Sequence, residues 1–288
     1  MAVLAPRVAD YLRLVRFQHT LFAVPFAYAG MLLAADGWPG WVTFGWVTLA
    51  MAGARTTAMA FNRVIDARID ALNPRTRERE IPAGIIRRRW ALALAAAGFV
   101  AFAAAGWALN PLTFALLPVA TAFMVLYPYT KRFTWACHAV LGVTIGAAAA
   151  GGWIAVTGAF APAAWWLWLG VAAWIGGFDV VYALLDERFD RDHGVCSVPA
   201  RFGAERARQV AIVAHAVAWL ALAAAAVLTG FGPVGWLGLA VVALVFVHQH
   251  RLVAQRGAAE ALRAFDANLW VGAVVLVSVA LDLALRAG

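Results

Sequence analysis

A bundle of about nine membrane-spanning helices is the fold that this 288-residue sequence predicts, and three observations carry it. Hydrophobic residues make up 64% of the chain and charged residues only 13%, a balance outside the range of soluble domains. Apolar runs long enough to cross a bilayer recur from one end of the chain to the other. The basic residues between them fall in every second link, which is the pattern produced when cytoplasmic loops retain Arg and Lys.

The spans fall near Phe17–Ala35, Val42–Ile65, Trp90–Leu109, Leu112–Tyr129, His138–Thr157, Ala164–Leu185, Ala207–Thr229, Val234–His250 and Asn268–Leu285. The first comes after a short basic stretch and could pass for a secretory signal. It is nearly long enough to span and no small-residue cleavage site comes after it, so it is expected to be the first helix. Four links, beginning at Asp36, Asn110, Gly158 and Gly230, are short and carry no Lys or Arg. The others hold Arg68, Arg75, Arg77, Arg79 and Arg87 to Arg89; Lys131 and Arg132; Arg188, Arg191, Arg201, Arg206 and Arg208; and Arg251, Arg256 and Arg263. With the N-terminus inside, all of these lie on the cytoplasmic side and only Arg286 ends outside. A net charge of +8 is then explained by topology and anionic headgroups, not by nucleic acid. Cys137 and Cys196 have no partner motif and read as free thiols. Residues 1–288 read as one polytopic domain. Gly142, Gly146 and the run Ala147–Ala150 form small-residue faces for close helix packing. The tryptophans Trp38, Trp41, Trp165, Trp166 and Trp168 sit near uncharged links and read as an interfacial belt. His248 and His250 fall on different helix faces and read as interfacial residues.

Two acidic stretches stand out against this apolar background. Asn62, Asp66 and Asp70 are spaced i, i+4, i+8, one polar stripe on a helix with steps of about 6 Å. More than a hundred residues later, Asp179, Tyr182, Asp186 and Asp190 stand at i, i+3, i+7 and i+11. Stacked carboxylates repel one another and need cationic partners. Arg can serve, and so can Mg²⁺, which favours carboxylates together with substrate phosphates. Each stretch taken alone also reads as a solvated surface with acid–base pairs, Asp66 and Asp70 against Arg63 or Arg68. The two together, with Asp179 deep in an apolar segment behind Gly176-Gly177, favour a site. Two such clusters could hold two Mg²⁺ on one diphosphate, with Arg forks around it. The apolar bundle behind them suits a long hydrocarbon tail.

These motifs resemble those of the UbiA superfamily of intramembrane prenyltransferases. Asn62, Asp66 and Asp70 match N-x3-D-x3-D. Asp179, Tyr182, Ala183, Asp186 and Asp190 match D-x2-Y-A-x2-D-x3-D. Asn73-Pro74-Arg75-Thr76, Arg79 and Ile81-Pro82-Ala83-Gly84 fit the loop after the first motif, and Ser197 with Phe202-Gly203 fit the segment after the second. Tyr127-Pro128-Tyr129-Thr130-Lys131-Arg132 is similar to the family's Y-P-x-x-K-R segment. Where many members read N-R-P, this chain has Glu78-Arg79-Glu80. The start, Arg16 to Pro25, resembles the bacterial 4-hydroxybenzoate polyprenyltransferase-like branch, and within it the subgroup linked to the futalosine route to menaquinone.

The resemblance implies an enzyme of the bacterial inner membrane with its site facing the cytoplasm. A polyprenyl diphosphate ionises with help from Mg²⁺, and the ring of an aromatic acid, 4-hydroxybenzoate or a dihydroxynaphthoate, captures the allylic cation for quinone biosynthesis. It implies Asn62, Asp66, Asp186 and Asp190 as metal ligands, with Asp66 also in the catalytic set. Asp70 and Asp179 are catalytic groups at or behind the metals, Asp179 orienting the acceptor, and Tyr182 shields the cation or bonds a phosphate. Arg16, Arg79, Lys131 and Arg132 are implied to bind the diphosphate and the acceptor's carboxylate. Haem- or chlorophyll-type prenyl transfer is the nearest alternative. A cation- or proton-coupled transporter is the alternative of another class, disfavoured because the acids gather at one side of the membrane instead of lining a path through it.

Overall fold

The computed structural model describes residues 7–15 and 22–287 and is all helical. Eleven α-helices run in order: α1 Val8–Leu14, α2 Val24–Ala35, α3 Trp41–Leu72, α4 Arg88–Leu109, α5 Pro111–Thr130, α6 Cys137–Thr157, α7 Pro162–Ala183, α8 Glu187–Asp192, α9 Val198–Leu228, α10 Pro233–Arg256 and α11 Ala261–Ala287. Each of the nine expected spans coincides with or overlaps one of α2–α7 and α9–α11. Among the described residues, seven helices are long and apolar enough to cross a membrane. Two of the expected nine differ. The part of α2 that is described is apolar but only 12 residues long. The 32-residue α3 carries Arg55, Arg63, Asp66, Arg68 and Asp70 and is too polar to qualify by composition.

Two packed groups of helices build the molecule. One comprises α3, α4 and α5; the other comprises α2, α6, α7, α9, α10 and α11. The larger group closes on an aromatic core. Trp174 is fully buried, its ring 5.0 Å from Phe26 and 5.2 Å from Phe178. Its indole Nε1 donates to Asn268 Oδ1 at 2.7 Å, and Asn268 Nδ2 donates to Gln249 Oε1 at 2.7 Å. Buried polar groups in a bundle core need such partners. The half-buried His250 reaches this network through the buried His215, whose Nδ1 is 2.8 Å from His250 Nε2 and 3.0 Å from Gln249 Nε2.

Small residues set how closely the helices approach. A Cβ on Gly152 of α6 would meet the Ala27 carbonyl of α2 at 2.0 Å, and one on Gly142 would meet the Ala172 carbonyl of α7 at 2.2 Å. Gly146 also lies against Ala172, and Ala149 and Ala150 are buried, as the small-residue faces predicted. Gly203 interrupts α9 with φ 79° and ψ 166°, a conformation that glycine adopts without steric cost.

At the end where α9, α10 and α11 meet, Asp282 of α11 caps α10 from outside. Its carboxylate accepts the Gly232 N–H at 2.9 Å and the Gly235 N–H at 3.0 Å, and Arg286 Nε stands 3.3 Å away. Asp282 is buried, so its loss strands two backbone donors of a helix N-terminus. Asp282→Ala is expected to cost about 1–3 kcal/mol, read as a lower apparent Tm in detergent with the kinetics of the folded fraction unchanged. An unchanged Tm would contradict it.

Candidate active site

The first acidic stripe lies on the last three turns of α3, where Asn62 Nδ2 donates to Asp66 Oδ2 at 3.0 Å. Helix α3 runs past the expected end at Ile65 to Leu72, which keeps Asp66 and Asp70 helical and on one side. Both are buried, and each has found a cation. Lys131 Nζ donates to Asp66 Oδ2 at 2.6 Å and Arg132 Nη2 to Asp66 Oδ1 at 3.2 Å. Arg79 Nη1 donates to Asp70 Oδ1 at 2.7 Å, while the buried Asp70 Oδ2 has no hydrogen-bond partner. Among the described residues these acids pair with Lys131, Arg132 and Arg79, while Arg63 Nε donates to the Leu14 carbonyl of α1 at 3.2 Å.

The second stretch departs from the single helical stripe that its spacing suggested. Helix α7 stops at Ala183, a 3-10 turn spans Leu184–Asp186, and α8 begins at Glu187. The break turns Asp186 toward the loop after α3. Asn73 Nδ2 donates to Asp186 Oδ1 at 2.9 Å, as does Arg75 Nε, and Arg75 Nη2 pairs with Asp186 Oδ2. The same guanidinium lies over the Tyr182 ring, 4.8 Å from its centroid, and Nη1 donates to the Tyr182 hydroxyl. Burial alone lowers the Arg75 pKa, but the bond to Asp186 and the charges of Tyr182 and Asp186 outweigh it and raise the pKa above the usual guanidinium value. The fork is therefore cationic at any working pH. Asp190 is buried beside Ser197, whose hydroxyl caps α9 by accepting the Ala200 N–H at 3.3 Å.

Asp179 sits one turn inside the end of α7 and is 2.7 Å from His138 Nδ1 at the start of α6. Sequence reading missed His138; a lone His opening an apolar run carries no signal of a partner 41 residues away. It also passed over Arg55 and Tyr127 as cavity residues. Arg16, expected from sequence to be an acceptor ligand, lies outside the described residues, as does His19.

A cavity of about 450 Å³ lies between the two helix groups; Asn62 of the first stretch and Asp179 and Tyr182 of the second line it, whereas Asp66, Asp70, Asp186 and Asp190 are not among its lining residues. Asn62, Arg79, Asp179 and Tyr182 line its polar end with Arg55, Arg63 and Tyr127. From there it runs between apolar residues of α3, α5, α6 and α7 to Leu109, Thr113 and Phe160 at the opposite helix ends. On α3 alone the lining extends from Asn62 to Val47, about 22 Å of helix. Trp168 lines it too, with Nε1 donating to the Val143 carbonyl at 2.8 Å and its ring stacked on the exposed Trp165.

The UbiA prenyltransferase family model matches residues 23–272, most of the chain. This chain is a member of the UbiA prenyltransferase family. It is accordingly an enzyme, and its apolar helices make it an integral membrane protein. A curated UbiA relative, the 4-hydroxybenzoate octaprenyltransferase of Alkalilimnicola ehrlichii, is 34% identical over 88% of this chain and 86% of its own. Among solved structures, the apo UbiA homolog from Aeropyrum pernix K1 superposes with a TM-score of 0.85 at 31% identity, over 92% of this chain and 98% of its own. A UbiA homolog from Archaeoglobus fulgidus, solved bound to DMAPP and Mg²⁺, shares the fold with a TM-score of 0.68 at 18% identity, over 93% and 99% of the two chains.

Proposed function

We propose that this UbiA-family enzyme transfers a polyprenyl group from its diphosphate to the ring of an aromatic acid, 4-hydroxybenzoate in first place and a dihydroxynaphthoate in second, for quinone biosynthesis. The observation that carries the reading is the polarity of the cavity: Asp179, Asn62, Arg55, Arg63 and Arg79 at its polar end, hydrocarbon behind. A diphosphate with an isoprenoid tail matches both ends. The name of the Alkalilimnicola ehrlichii relative supports 4-hydroxybenzoate as acceptor. Helices α2–α7 and α9–α11 all span the inner membrane in this reading, with the N-terminus, the motifs and the basic links on the cytoplasmic side.

Mg²⁺ suits the donor set. Asn62 and Asp66, and Asp186 and Asp190, offer hard oxygen ligands in two groups, and Asp70 keeps a carboxylate oxygen without a partner. No three acidic, His or Cys side chains gather at one point among the described residues; this agrees with an ion that takes one or two carboxylates and fills its shell with phosphate oxygens. When bound, Mg²⁺ supplies neutralisation of the charge that builds on the departing diphosphate.

The chain's own groups do the rest. Arg75, Arg79, Lys131 and Arg132 now hold Asp186, Asp70 and Asp66, and they are the forks and point charges that receive the diphosphate oxygens. As the allylic C–O bond breaks, the ring faces of Tyr182, Phe178 and Phe265 flank the cation. The apolar wall keeps water from quenching it. The acceptor ring attacks, a C–C bond forms, and Asp179 in the cavity wall holds the acceptor and takes up its ring proton.

The test is mass spectrometry of products from detergent-purified enzyme given a polyprenyl diphosphate, Mg²⁺ and a panel of phenolic and naphthoic acids. A C-prenylated aromatic acid is expected, and excess EDTA is expected to abolish it. Prenylation of haem precursors or chlorophyllide alone would overturn the acceptor class.

A further inference from the structure

His138 lies directly behind Asp179 of the cavity wall although no motif marks it. It opens α6, is only 5% exposed, and stands between two partners. Its Nδ1 is 2.7 Å from Asp179 Oδ2, and its Nε2 is 3.2 Å from the backbone nitrogen of Val198, the first residue of α9. A backbone N–H can only donate. Nε2 must therefore accept and carry no proton. The imidazole proton then sits on Nδ1 and points at the Asp179 carboxylate. Helix α6 can bring the ring this close because Gly142, one turn on, lies against Ala172 and Gly176 of α7.

Asp179 is a quarter exposed where it lines the cavity, while His138 is almost entirely covered. One carboxylate oxygen is thus tied back and the other is left to the cavity. Buried groups that orient a base in this way fix the position and the tautomer that catalysis needs.

We propose that His138 is a positioning residue that holds Asp179 as the acceptor of the ring proton. The inference rests on the aromatic acceptor proposed above. In the step it serves, the donor's C–O bond has already broken and its terminal carbon has bonded to the ring. The ring C–H bond then breaks, its electron pair restores the aromatic sextet, and the proton passes to the free oxygen of Asp179. The Nδ1–H bond to the other oxygen keeps that carboxylate from rotating out of line as its charge is lost.

The two hydrogen bonds of His138 can be separated. Asn keeps an N–H donor at the reach of Nδ1 and loses the acceptor for Val198. Gln puts a carbonyl at the reach of Nε2 and loses the donor to Asp179. Detergent-purified His138→Asn and His138→Gln are assayed with 4-hydroxybenzoate carrying hydrogen or deuterium at the alkylated carbon, and their Tm is measured. His138→Gln is expected to keep its Tm and both KM values while kcat falls about 10²-fold, and a primary deuterium effect emerges that the wild type lacks. His138→Asn is expected to melt earlier but to retain near wild-type kcat per folded molecule. If kcat tracks the folded fraction in both variants, His138 is only a cap for α9 and the proposal fails. If kcat falls in His138→Gln with no isotope effect, another base, such as the released diphosphate, takes the proton, and the proposal also fails. A wild type that alkylates no aromatic acid overturns the acceptor reading and this inference with it, and is distinguished by the product analysis alone.

Discussion

Asp66→Asn is expected to reduce turnover by about 10³-fold or more while the protein stays folded. The side chain is 1% exposed and sits where Asn62, Lys131 and Arg132 converge. Asn matches its shape, so packing on α3 survives. It removes the negative charge, and with it the means of holding a divalent ion beside Lys131 and Arg132. Those two cations would then stand together without a counter-charge, which disfavours a second cation at the same place. The loss is expected in kcat and not in acceptor KM, because the charge it opposes develops only as the diphosphate leaves. Raising Mg²⁺ should recover little. Steady-state kinetics at several Mg²⁺ concentrations, with Tm and size-exclusion profiles as controls for folding, decide it; near wild-type kcat would remove Asp66 from the metal site.

The bundle was legible because seven of the described helices contain a long apolar run. The ends were less so, for identifiable reasons. Helix α3 continues to Leu72, past the apolar span that ends near Ile65, and cations on other elements, Lys131, Arg132 and Arg79, neutralise the polar stripe on its last turns. A short helical segment, 198–202, precedes the break at Gly203, and the long part of α9 follows that break close to the expected Ala207. Ser197 caps that short segment, and Arg201 within it, with Arg206 and Arg208 beyond the break, makes the stretch read as a link. In the site, the residue types and their order could be read from spacing, since one carboxylate per helical turn is conspicuous in an apolar chain. Which cation meets which acid could not. Arg75 reaches Asp186 across 111 positions only because the loop after α3 folds back over the broken end of α7. His138 was invisible for the same reason: its two partners belong to α7 and α9 and meet only in three dimensions.

Arg75→Lys is expected to raise the KM for the prenyl diphosphate by about 10- to 100-fold, with a smaller change for the acceptor, since truncation of a charge-assisted fork is worth about 1.5–3 kcal/mol. In the structure the guanidinium bonds Asp186 through two nitrogens and covers the Tyr182 ring. It is a third exposed, at the mouth of the site. Asp186 cannot serve a metal ion and keep both contacts. When ion and diphosphate arrive, the fork is expected to move from carboxylate to phosphate, an exchange of one anion for another that a guanidinium can make and an ammonium makes poorly. Lys at this position still neutralises Asp186, so the free enzyme should keep its stability. What it lacks is the second arm for phosphate and the flat face over Tyr182. Two readouts separate this from a purely structural pair. Asp186→Asn should lower kcat and the response to Mg²⁺, whereas Arg75→Lys should leave the Mg²⁺ response near normal and shift donor KM. Equal losses in both KM values, matched by a fall in Tm, would mean that Arg75 only fastens the loop to α7.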